Sequence, residues 1–333
     1  MKDRRPKEES RFPSRREFVG LGIGAFVAAV APPFLRERRR LVRRTLPAMG
    51  TLVEVAVPSS DPGSAQRAIG AALEEVRRVE RAMTRFDPGS DVGRANAAGA
   101  GRPVRVSEAT ARVLRAGLDW ARGTDGRFDP CLGGAVAAWD VERRHEPPPP
   151  DRLRRWAGGG LWRSLELEEG TGGPRVRLHR PEASIDLGGI AKGHAVDRAV
   201  ETLRRHGVRD GLVSAGGDLY ALGVSEDGDA WEVGVRDPSD PSRYTRVLRL
   251  ADRAVATSGD YEAGFDHGGR RYHHLLDPRT GEPHRTPAHS LTVAARSCMT
   301  ADAAATAAFG APREEATRLV REVAPEAEIA HTA

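Results

Sequence analysis

One lysine stands out in a chain that otherwise uses arginine for positive charge. The 333 residues include 52 lysines and arginines, yet Lys192 is the only lysine after residue 7. It lies in residues 184–197, SIDLGGIAKGHAVD, where a short strand is predicted to end at Asp186 and a Gly-Gly turn leads into a helix. Free backbone N–H groups at a helix start, glycines that let a ligand approach and a compact ammonium together favour binding of phosphate.

The residues alone leave a second interpretation of this segment open. The patterns GxxxxGK and GxGxxG are both absent from it, so it is neither a Walker loop nor a dinucleotide-binding fingerprint. A tight strand-to-helix turn with a solvated lysine would give the same local pattern. The choice of lysine in an arginine-rich chain favours the phosphate site.

A carboxylate and a hydroxyl lie one helical turn apart in residues 297–309, SCMTADAAATAAF. Asp302 and Thr306 are predicted to project from the same face of this alanine-rich helix, with only small side chains around them. Hard oxygen ligands with space beside them suit Mg²⁺, which retains waters and shares its coordination sphere with phosphate oxygens. The alternative is structural: Thr300 caps the helix and Asp302 interacts favourably with its dipole.

Histidines are crowded near the end of the chain, with five of the ten between His267 and His289. Their spacing matches no common zinc site. His274 precedes LLDPRTG, a strand followed by a turn, and is predicted to be a pocket residue, with a plain hairpin as the alternative. Three further segments combine turn residues with carboxylates, namely 128–130 (FDP), 216–218 (GGD) and 256–261 (ATSGDY).

The N-terminus predicts export. Arg15 and Arg16 are followed by Phe18 and a weakly apolar, Gly/Ala-rich run at 19–31, which is the pattern of a twin-arginine signal. That run is too short for a typical transmembrane helix. Residues 1–35 are therefore predicted to be a signal or an uncleaved anchor, which places the protein in the periplasm, either free or tethered to the inner membrane.

Composition argues against nucleic-acid binding. The net charge is +5, but much of the positive excess lies at 36–44, and aromatic residues make up only 5% of the chain. The hydrophobic share of 39% fits a globular chain that is long enough to bury a large core. Cys131 and Cys298 could pair in an oxidising compartment or remain free thiols.

Helix and strand signals alternate along the rest of the chain. Residues 83–96 show no period, and the proline-rich stretch 145–151 is typical of an extended spacer. Strands outnumber helices in the second half, which predicts the α+β class. The predicted strands are 51–57, 175–179, 184–186, 211–215, 231–235, 246–250, 272–276 and 290–295, and the predicted helices are 62–83, 107–123, 191–205, 300–309 and 312–323.

In this order, the motifs resemble the ApbE family, the FAD:protein FMN transferases. The resemblance covers residues 45–309 and is carried by MGT (49–51), the FDP of RFDPCLGG, DLGGIAKGHAVD, SAGGD, ATSGDYE, HHLLDPRTG and MTADAAATAAF. Each piece is weak by itself, whereas seven in register are highly specific. The resemblance implies a single ApbE-like, T-fold-like α+β unit at 45–330, with mixed and antiparallel sheets flanked by helices.

The resemblance also implies an activity. Members of this family are exported, Mg²⁺-dependent enzymes that bind FAD as substrate, move its FMN half onto a Thr or Ser hydroxyl of an acceptor protein and release AMP. The partners implied are acceptor flavoproteins of electron-transfer chains in the cell envelope. The acceptor motif that the family modifies, Ser/Thr-Gly-Ala-Thr, is absent from this chain, so self-modification is not expected.

Site residues carry over position by position. The resemblance implies metal ligation by Asp302, Thr306 and the backbone carbonyl of Gly189. His274 would lie near the pyrophosphate and is the first candidate for proton acceptor, with Asp302 as the second. The family usually stacks a Tyr on the flavin where this chain has Phe86, which keeps the stacking but loses the hydroxyl's hydrogen bond. The remaining implied contacts with FAD come from Met49, Phe128, Asp129, Asp186, Lys192 and the backbone near Leu276.

Two other functions stay open at this point. The same site with water as the nucleophile would be an FAD pyrophosphatase that gives FMN and AMP. A non-catalytic flavin-binding protein of the cell envelope would share the FAD contacts without needing Mg²⁺.

Overall fold

The computed structural model describes residues 39–240 and 242–333. The predicted signal at 1–35 lies outside this part of the chain. No helix in the described ranges has both the length and the apolar character needed to cross a lipid bilayer.

Strands and helices occupy most of the described chain. The strands are β1 (Arg40–Ala48), β2 (Thr51–Ser59), β3 (Val104–Arg105), β4 (Leu165–Glu168), β5 (Arg175–Leu178), β6 (Gly211–Ala215), β7 (Asp218–Leu222), β8 (Trp231–Arg236), β9 (Tyr244–Leu250), β10 (Arg253–Gly259), β11 (Gly264–His267), β12 (Arg270–His273), β13 (Leu276–Asp277), β14 (Glu282–Pro283), β15 (Ser290–Ala295) and β16 (Glu328–Thr332). The helices are α1 (Pro62–Met83), α2 (Asp91–Ala98), α3 (Glu108–Gly123), α4 (Gly133–Trp139), α5 (Pro150–Leu153), α6 (Ala191–Arg205), α7 (Cys298–Ala308) and α8 (Arg313–Val323), with one 3₁₀ turn at Leu161–Ser164.

A large antiparallel sheet organises the molecule. Its strand order is β1-β2-β6-β7-β10-β15-β16, and each neighbouring pair is antiparallel. The smaller sheets are β3-β5-β4 and the hairpins β8-β9, β11-β12 and β13-β14. Antiparallel sheets with helices in separate segments confirm the predicted α+β class.

The large sheet is covered on both faces. Along β2, Val53, Val55 and Val57 belong to the larger core that contains α1, α6 and α7, whereas Ala56 belongs to a second core on the opposite face. The β8-β9 hairpin covers this second face, where the buried Trp231 donates its indole N–H to the carbonyl of Leu222 at 3.1 Å. The period-two alternation at 51–57 therefore separates two cores, because successive side chains of a strand point to opposite faces.

Local signals predicted the long helices well. Helix α1 follows Asp61, whose carboxylate accepts the backbone N–H groups of Gly63 and Ser64 at 3.0 and 3.1 Å. Helix α6 has the predicted bounds, and Gly207 follows it at a φ of +78° in the left-handed region. The helices predicted at 300–309 and 312–323 are confirmed as α7 and α8.

Residues 83–96, which show no period, contain the start of α2. Ser90 accepts the N–H of Gly93 at 2.8 Å and caps this short helix. Two strand predictions are wrong. The predicted strand at 184–186 is reduced to an isolated parallel bridge between Ser184 and Leu132, with a further backbone hydrogen bond from Asp186 to Pro130. The predicted strand at 272–276 ends at His273 and resumes as β13, because the chain turns at the intervening residues.

The close contact between α6 and α7 predicts that Gly193 cannot be replaced. A Cβ on Gly193 would lie 2.3 Å from the carbonyl oxygen of Cys298 and 2.8 Å from the Cα of Met299, which are backbone atoms that cannot rotate away. We expect Gly193→Ala to lower the free energy of unfolding by about 1–3 kcal/mol, as overpacked cores do. Urea denaturation of both proteins measures this difference.

Gly70→Ala is the matched control, because Gly70 lies inside α1 and a Cβ there meets only the end of the Arg44 side chain, at 3.5 Å. In a helix without crowding, Gly→Ala increases stability by roughly 1 kcal/mol. A Gly193→Ala protein as stable as the wild type, or more stable, would contradict the close packing of α6 on α7.

Candidate active site

Lys192 lies in the first turn of α6 and is held by three oxygen acceptors. Its Nζ is 2.8 Å from Oδ2 of Asp218 and 3.4 Å from Oδ1 of Asp302, and it also donates to the carbonyl of Gly188 at 3.4 Å. The side chain is 25% exposed. Asp302 and the Gly188 carbonyl accept hydrogen bonds from the ammonium, and Asp218 forms a close ion pair with it. The structure therefore shows a paired lysine and not the solvated one that a plain turn would give.

The charges around Lys192 fix its protonation state. Burial by itself would lower the pKa of the Lys192 ammonium, but Asp218, Asp302 and Glu262 together raise it above its ordinary value. Burial raises the pKa of Asp218, and the neighbouring Asp302 raises it further, while the Lys192 charge opposes both. Three carboxyl groups thus lie around the Lys192 ammonium.

The predicted metal ligands come together. Asp302 and Thr306 lie one turn apart on α7, and a Cβ on Gly189 would lie 2.9 Å from Oγ1 of Thr306, so the glycine backbone faces this hydroxyl directly. Asp302 is 3% exposed, and its Oδ2 accepts the backbone N–H of Gly193 at 3.0 Å. No cluster of three His, Cys, Asp or Glu side chains suited to a metal occurs within the described residues. A metal here would need backbone and hydroxyl oxygens, which fits the hard oxygen donors that Mg²⁺ takes.

Asp186 shapes the loop before α6 and anchors an exposed aromatic ring. Its carboxylate lies 2.8 Å from Nε of Arg85 and also accepts the N–H of Gly188 at 2.8 Å. The Arg85 guanidinium lies 4.2 Å from the centroid of the Phe86 ring, which is 75% exposed. An exposed ring beside the predicted phosphate site offers a stacking surface for a planar ligand.

Asn96 holds the residue that precedes Asp186 through two hydrogen bonds. Its side-chain amide donates to the carbonyl of Ile185 at 2.9 Å, and its Oδ1 accepts the N–H of Ile185 at 2.7 Å. This pairing occupies both backbone groups of the residue that precedes Asp186. On the other side of the segment, the N–H groups of Ser184 and Asp186 donate to the carbonyls of Cys131 and Pro130 at 3.1 and 2.9 Å.

The FDP segment is held by the protein itself. Phe128 is 3% exposed and belongs to the larger core. The carboxylate of Asp129 accepts the N–H groups of Cys131 and Trp162 at 2.9 and 3.1 Å, and burial raises its pKa to about 6. Both side chains make contacts within the protein, and their predicted contact with FAD stays a prediction.

Adjacent histidines have different environments. His273 is buried, donates from Nε2 to the carbonyl of His284 at 3.1 Å and packs edge-on against Phe309. His274 is half-buried, and its Nδ1 donates to the carbonyl of Ala263 at 3.4 Å, which leaves Nε2 with a free lone pair. Burial lowers the pKa of His274 to about 4, and the Lys192 charge lowers it as well. His274 is thus a neutral imidazole near Lys192.

Two further residues predicted to contact FAD are Met49, in the turn between β1 and β2, and Leu276, at the start of β13. Met49 has a φ of +55°, and its N–H donates to the Glu80 carboxylate. Leu276 begins β13 and pairs with Pro283. Both residues are partly buried against the larger core. Their predicted contact with FAD stays a prediction.

Sequence reasoning missed several residues of this site. Asp218 and Glu262 lie in SAGGD and ATSGDYE, which were noted as motifs without a role for the acidic side chain. Arg85 stands next to Phe86, and the sequence did not predict its ion pair with Asp186. The only sequence signal for Asp218 and Glu262 is their place inside these motifs, since their partners are distant in the chain, and the only signal for Arg85 is the neighbouring Phe86.

The cysteines do not form a disulfide in this structure. Cys131 and Cys298 are both buried free thiols. Burial raises the pKa of both thiols, so neither is a ready nucleophile.

Comparison with known proteins gives the same family for most of the chain. The family model described as the ApbE family matches residues 49–330. The FAD:protein FMN transferase of Treponema pallidum is 34% identical over 305 residues, which cover 86% of this chain and 83% of that protein. A protein of the same name from Rhodobacter capsulatus is 34% identical over 292 residues, 85% of this chain but only 54% of that protein, so the chain spans about half of that relative.

The fold is shared as well. The crystal structure of the ApbE protein from Thermotoga maritima matches with a TM-score of 0.76 and 31% sequence identity, covering 84% of this chain and 90% of that chain. The sequence motifs and the residues around Lys192 lie within the matched residues 49–330. The chain belongs to the ApbE family.

Proposed function

We propose that this protein is an FAD:protein FMN transferase, which moves the FMN half of FAD onto a Thr or Ser hydroxyl of an acceptor protein and releases AMP. The observation that carries the proposal is the Lys192 ammonium, held between Asp218 and Asp302 beside the pair formed by Gly189 and Thr306. The similarity to proteins named FAD:protein FMN transferase supports the substrate and the reaction.

Mg²⁺ is part of the proposal. Asp302, Thr306 and the backbone carbonyl of Gly189 would hold it. When bound, it would neutralise negative charge on the pyrophosphate oxygens and help to orient them. The closeness of Asp218 to Asp302 supports this assignment, because a cation beside Asp302 would offset the repulsion that raises the pKa of Asp218.

The proposed reaction exchanges the phosphoanhydride bond of FAD for a phosphoester bond to the acceptor. The acceptor hydroxyl oxygen attacks the phosphorus of the FMN half, the bond from that phosphorus to the bridging oxygen breaks, and AMP leaves with the bridging oxygen. Lys192 stabilises the negative charge that develops on the phosphate oxygens. Phe86 provides an exposed ring on which the isoalloxazine can stack.

His274 is the better candidate for accepting the proton of the acceptor hydroxyl. Its Nδ1 already donates to Ala263, so Nε2 is available as a base. Asp302 is less suitable, because the proposal assigns its carboxylate to Mg²⁺ and it already pairs with the ammonium of Lys192. General bases must lie within hydrogen-bonding reach of the proton they take.

The place of action and the partner are proposals from the sequence. Residues 14–31 support export by the twin-arginine route, with the enzyme in the periplasm or tethered to the inner membrane. An acceptor flavoprotein of an envelope electron-transfer chain is the proposed partner.

Intact-mass spectrometry tests the proposed function. We expect an acceptor domain with a Ser/Thr-Gly-Ala-Thr motif to gain one FMN unit when it is incubated with the purified protein, FAD and Mg²⁺. EDTA should abolish the gain. Free FMN and AMP with an unmodified acceptor would instead mean an FAD pyrophosphatase, and intact FAD would favour a flavin-binding protein.

Lys192→Arg tests why this position carries a lysine. A planar guanidinium cannot occupy the space in which one nitrogen reaches Asp218, Asp302 and the Gly188 carbonyl at 2.8, 3.4 and 3.4 Å. We expect turnover of FMN transfer to fall by about 10²-fold, the size of losing one donor to a developing charge. Arg253→Lys, at an exposed pair with Glu328, is the control and should keep full turnover. Full activity of Lys192→Arg would refute the explanation.

The pH dependence of transfer tests His274 as the base. Because burial lowers its pKa to about 4, the imidazole is neutral throughout the range from weakly acidic to neutral pH. We expect kcat to stay level as pH falls through the usual histidine range near 6.5 and to decline only close to pH 4. His274→Asn should lower kcat and remove that acidic limb. A limb near pH 6.5 in the wild type would argue against His274.

A further inference from the structure

Helices α6 and α7 meet along one regular line of contacts. Three positions on one side of this contact are spaced by four residues, namely 189 in the turn before α6 and 193 and 197 within α6. They meet positions 306, 302 and 298 of α7, which are spaced by four in the opposite direction. One turn of each helix therefore matches one turn of the other in an antiparallel register.

Small residues allow the first two contacts. A Cβ on Gly189 would come within 2.8 Å of Cγ2 of Thr306, so only a glycine lets the backbone approach this side chain. At the next turn, the N–H of Gly193 donates to Oδ2 of Asp302 at 3.0 Å. Both contacts bring a proposed metal ligand of α7 against the backbone that carries Lys192.

The third contact is a charged one. Asp197 accepts the N–H of Cys298 through Oδ1 at 2.7 Å and the N–H of Met299 through Oδ2 at 2.9 Å. These N–H groups belong to the first two residues of α7 and have no partner within that helix. A carboxylate at a helix N-terminus also interacts favourably with the helix dipole, and hydrogen bonds to a charged acceptor are stronger than neutral ones.

Each helix thus supplies the carboxylate that caps the N-terminus of the other. Asp302 of α7 accepts an N–H from the first turn of α6, and Asp197 of α6 accepts two from the first turn of α7. A slip of α7 by one residue would move its side chains by about 1.5 Å along the axis and about 100° around it. Such a slip would turn Asp302 away from Lys192.

We propose that Asp197 is a positioning residue, which fixes the register of α7 against α6 and thereby sets Asp302 and Thr306 for metal binding. The inference rests on the proposed function, because it assigns these two residues to the metal of the transferase. Asp197 itself touches neither of them and acts through the first turn of α7. Its role is therefore expected to show in metal affinity as well as in stability.

The test compares three variants of the full chain, without FAD. Mn²⁺ is the probe, and the free ion is counted by electron paramagnetic resonance during titration, with the melting temperature recorded for each protein. We expect Asp197→Ala to weaken Mn²⁺ binding at least tenfold. Asp197→Asn should fall between Asp197→Ala and the wild type, because its single side-chain oxygen can still accept one of the two N–H groups.

Asp91→Ala is the matched control. Asp91 is also a buried aspartate that serves the start of another helix, accepting the N–H of Ser107 at 2.8 Å and the hydroxyl of Thr110 at 2.7 Å before α3. We expect this variant to lose stability while its Mn²⁺ affinity stays within twofold of wild type. Wild-type Mn²⁺ affinity in Asp197→Ala, or an equal loss in Asp91→Ala, would overturn the proposal.

The titration separates this inference from the proposed function. If the wild type binds Mn²⁺ but transfers no FMN, the transferase proposal fails while the comparison of variants still decides the role of Asp197. If the wild type does not bind Mn²⁺, there is no metal site for Asp197 to position, and the positioning role is overturned. FMN transfer by a wild type whose Mn²⁺ affinity does not depend on Asp197 would overturn the positioning role alone.

Discussion

The close approach of α6 to α7 is the constraint on which the site depends. Gly193 has no side chain, so its N–H reaches the carboxylate of Asp302, and the backbone around Cys298 packs directly on it. Any larger residue would separate the two helices. Since Lys192 belongs to one helix and Asp302 and Thr306 to the other, the distance between the helices sets the distances within the site.

The charge arrangement follows from this packing. Burying an ammonium is costly unless it is paired and hydrogen-bonded, and Lys192 meets both conditions through Asp218, Asp302 and the carbonyl of Gly188. The tetrahedral ammonium points its donors in different directions, whereas a guanidinium presents a flat fork. This geometry gives a physical reason why an arginine-rich chain places a lysine here.

The large sheet holds the partners of Lys192 in place. Asp218 begins β7, next to β6 and β10 in the sheet, and Glu262 follows the end of β10. Helices α6 and α7 lie on the same face of this sheet within the larger core. The opposite face is covered by the β8-β9 hairpin, so the sheet is rigidly packed on both sides. A rigid support of this kind holds a site in position more precisely than loops alone would.

The sequence by itself determined the features that depend on neighbouring residues. The cap at Asp61, the bounds of α6 and the glycine after it are local signals, and the motifs in order indicated the family, the importance of Lys192 and the pairing of Asp302 with Thr306. The tertiary structure decided the rest. It paired Lys192 with Asp218, gave the two adjacent histidines different hydrogen bonds and bonded the amide of Asn96 to both backbone groups of Ile185. These contacts join residues far apart in the chain, and their distances are set by how helices and strands pack, which no local pattern encodes.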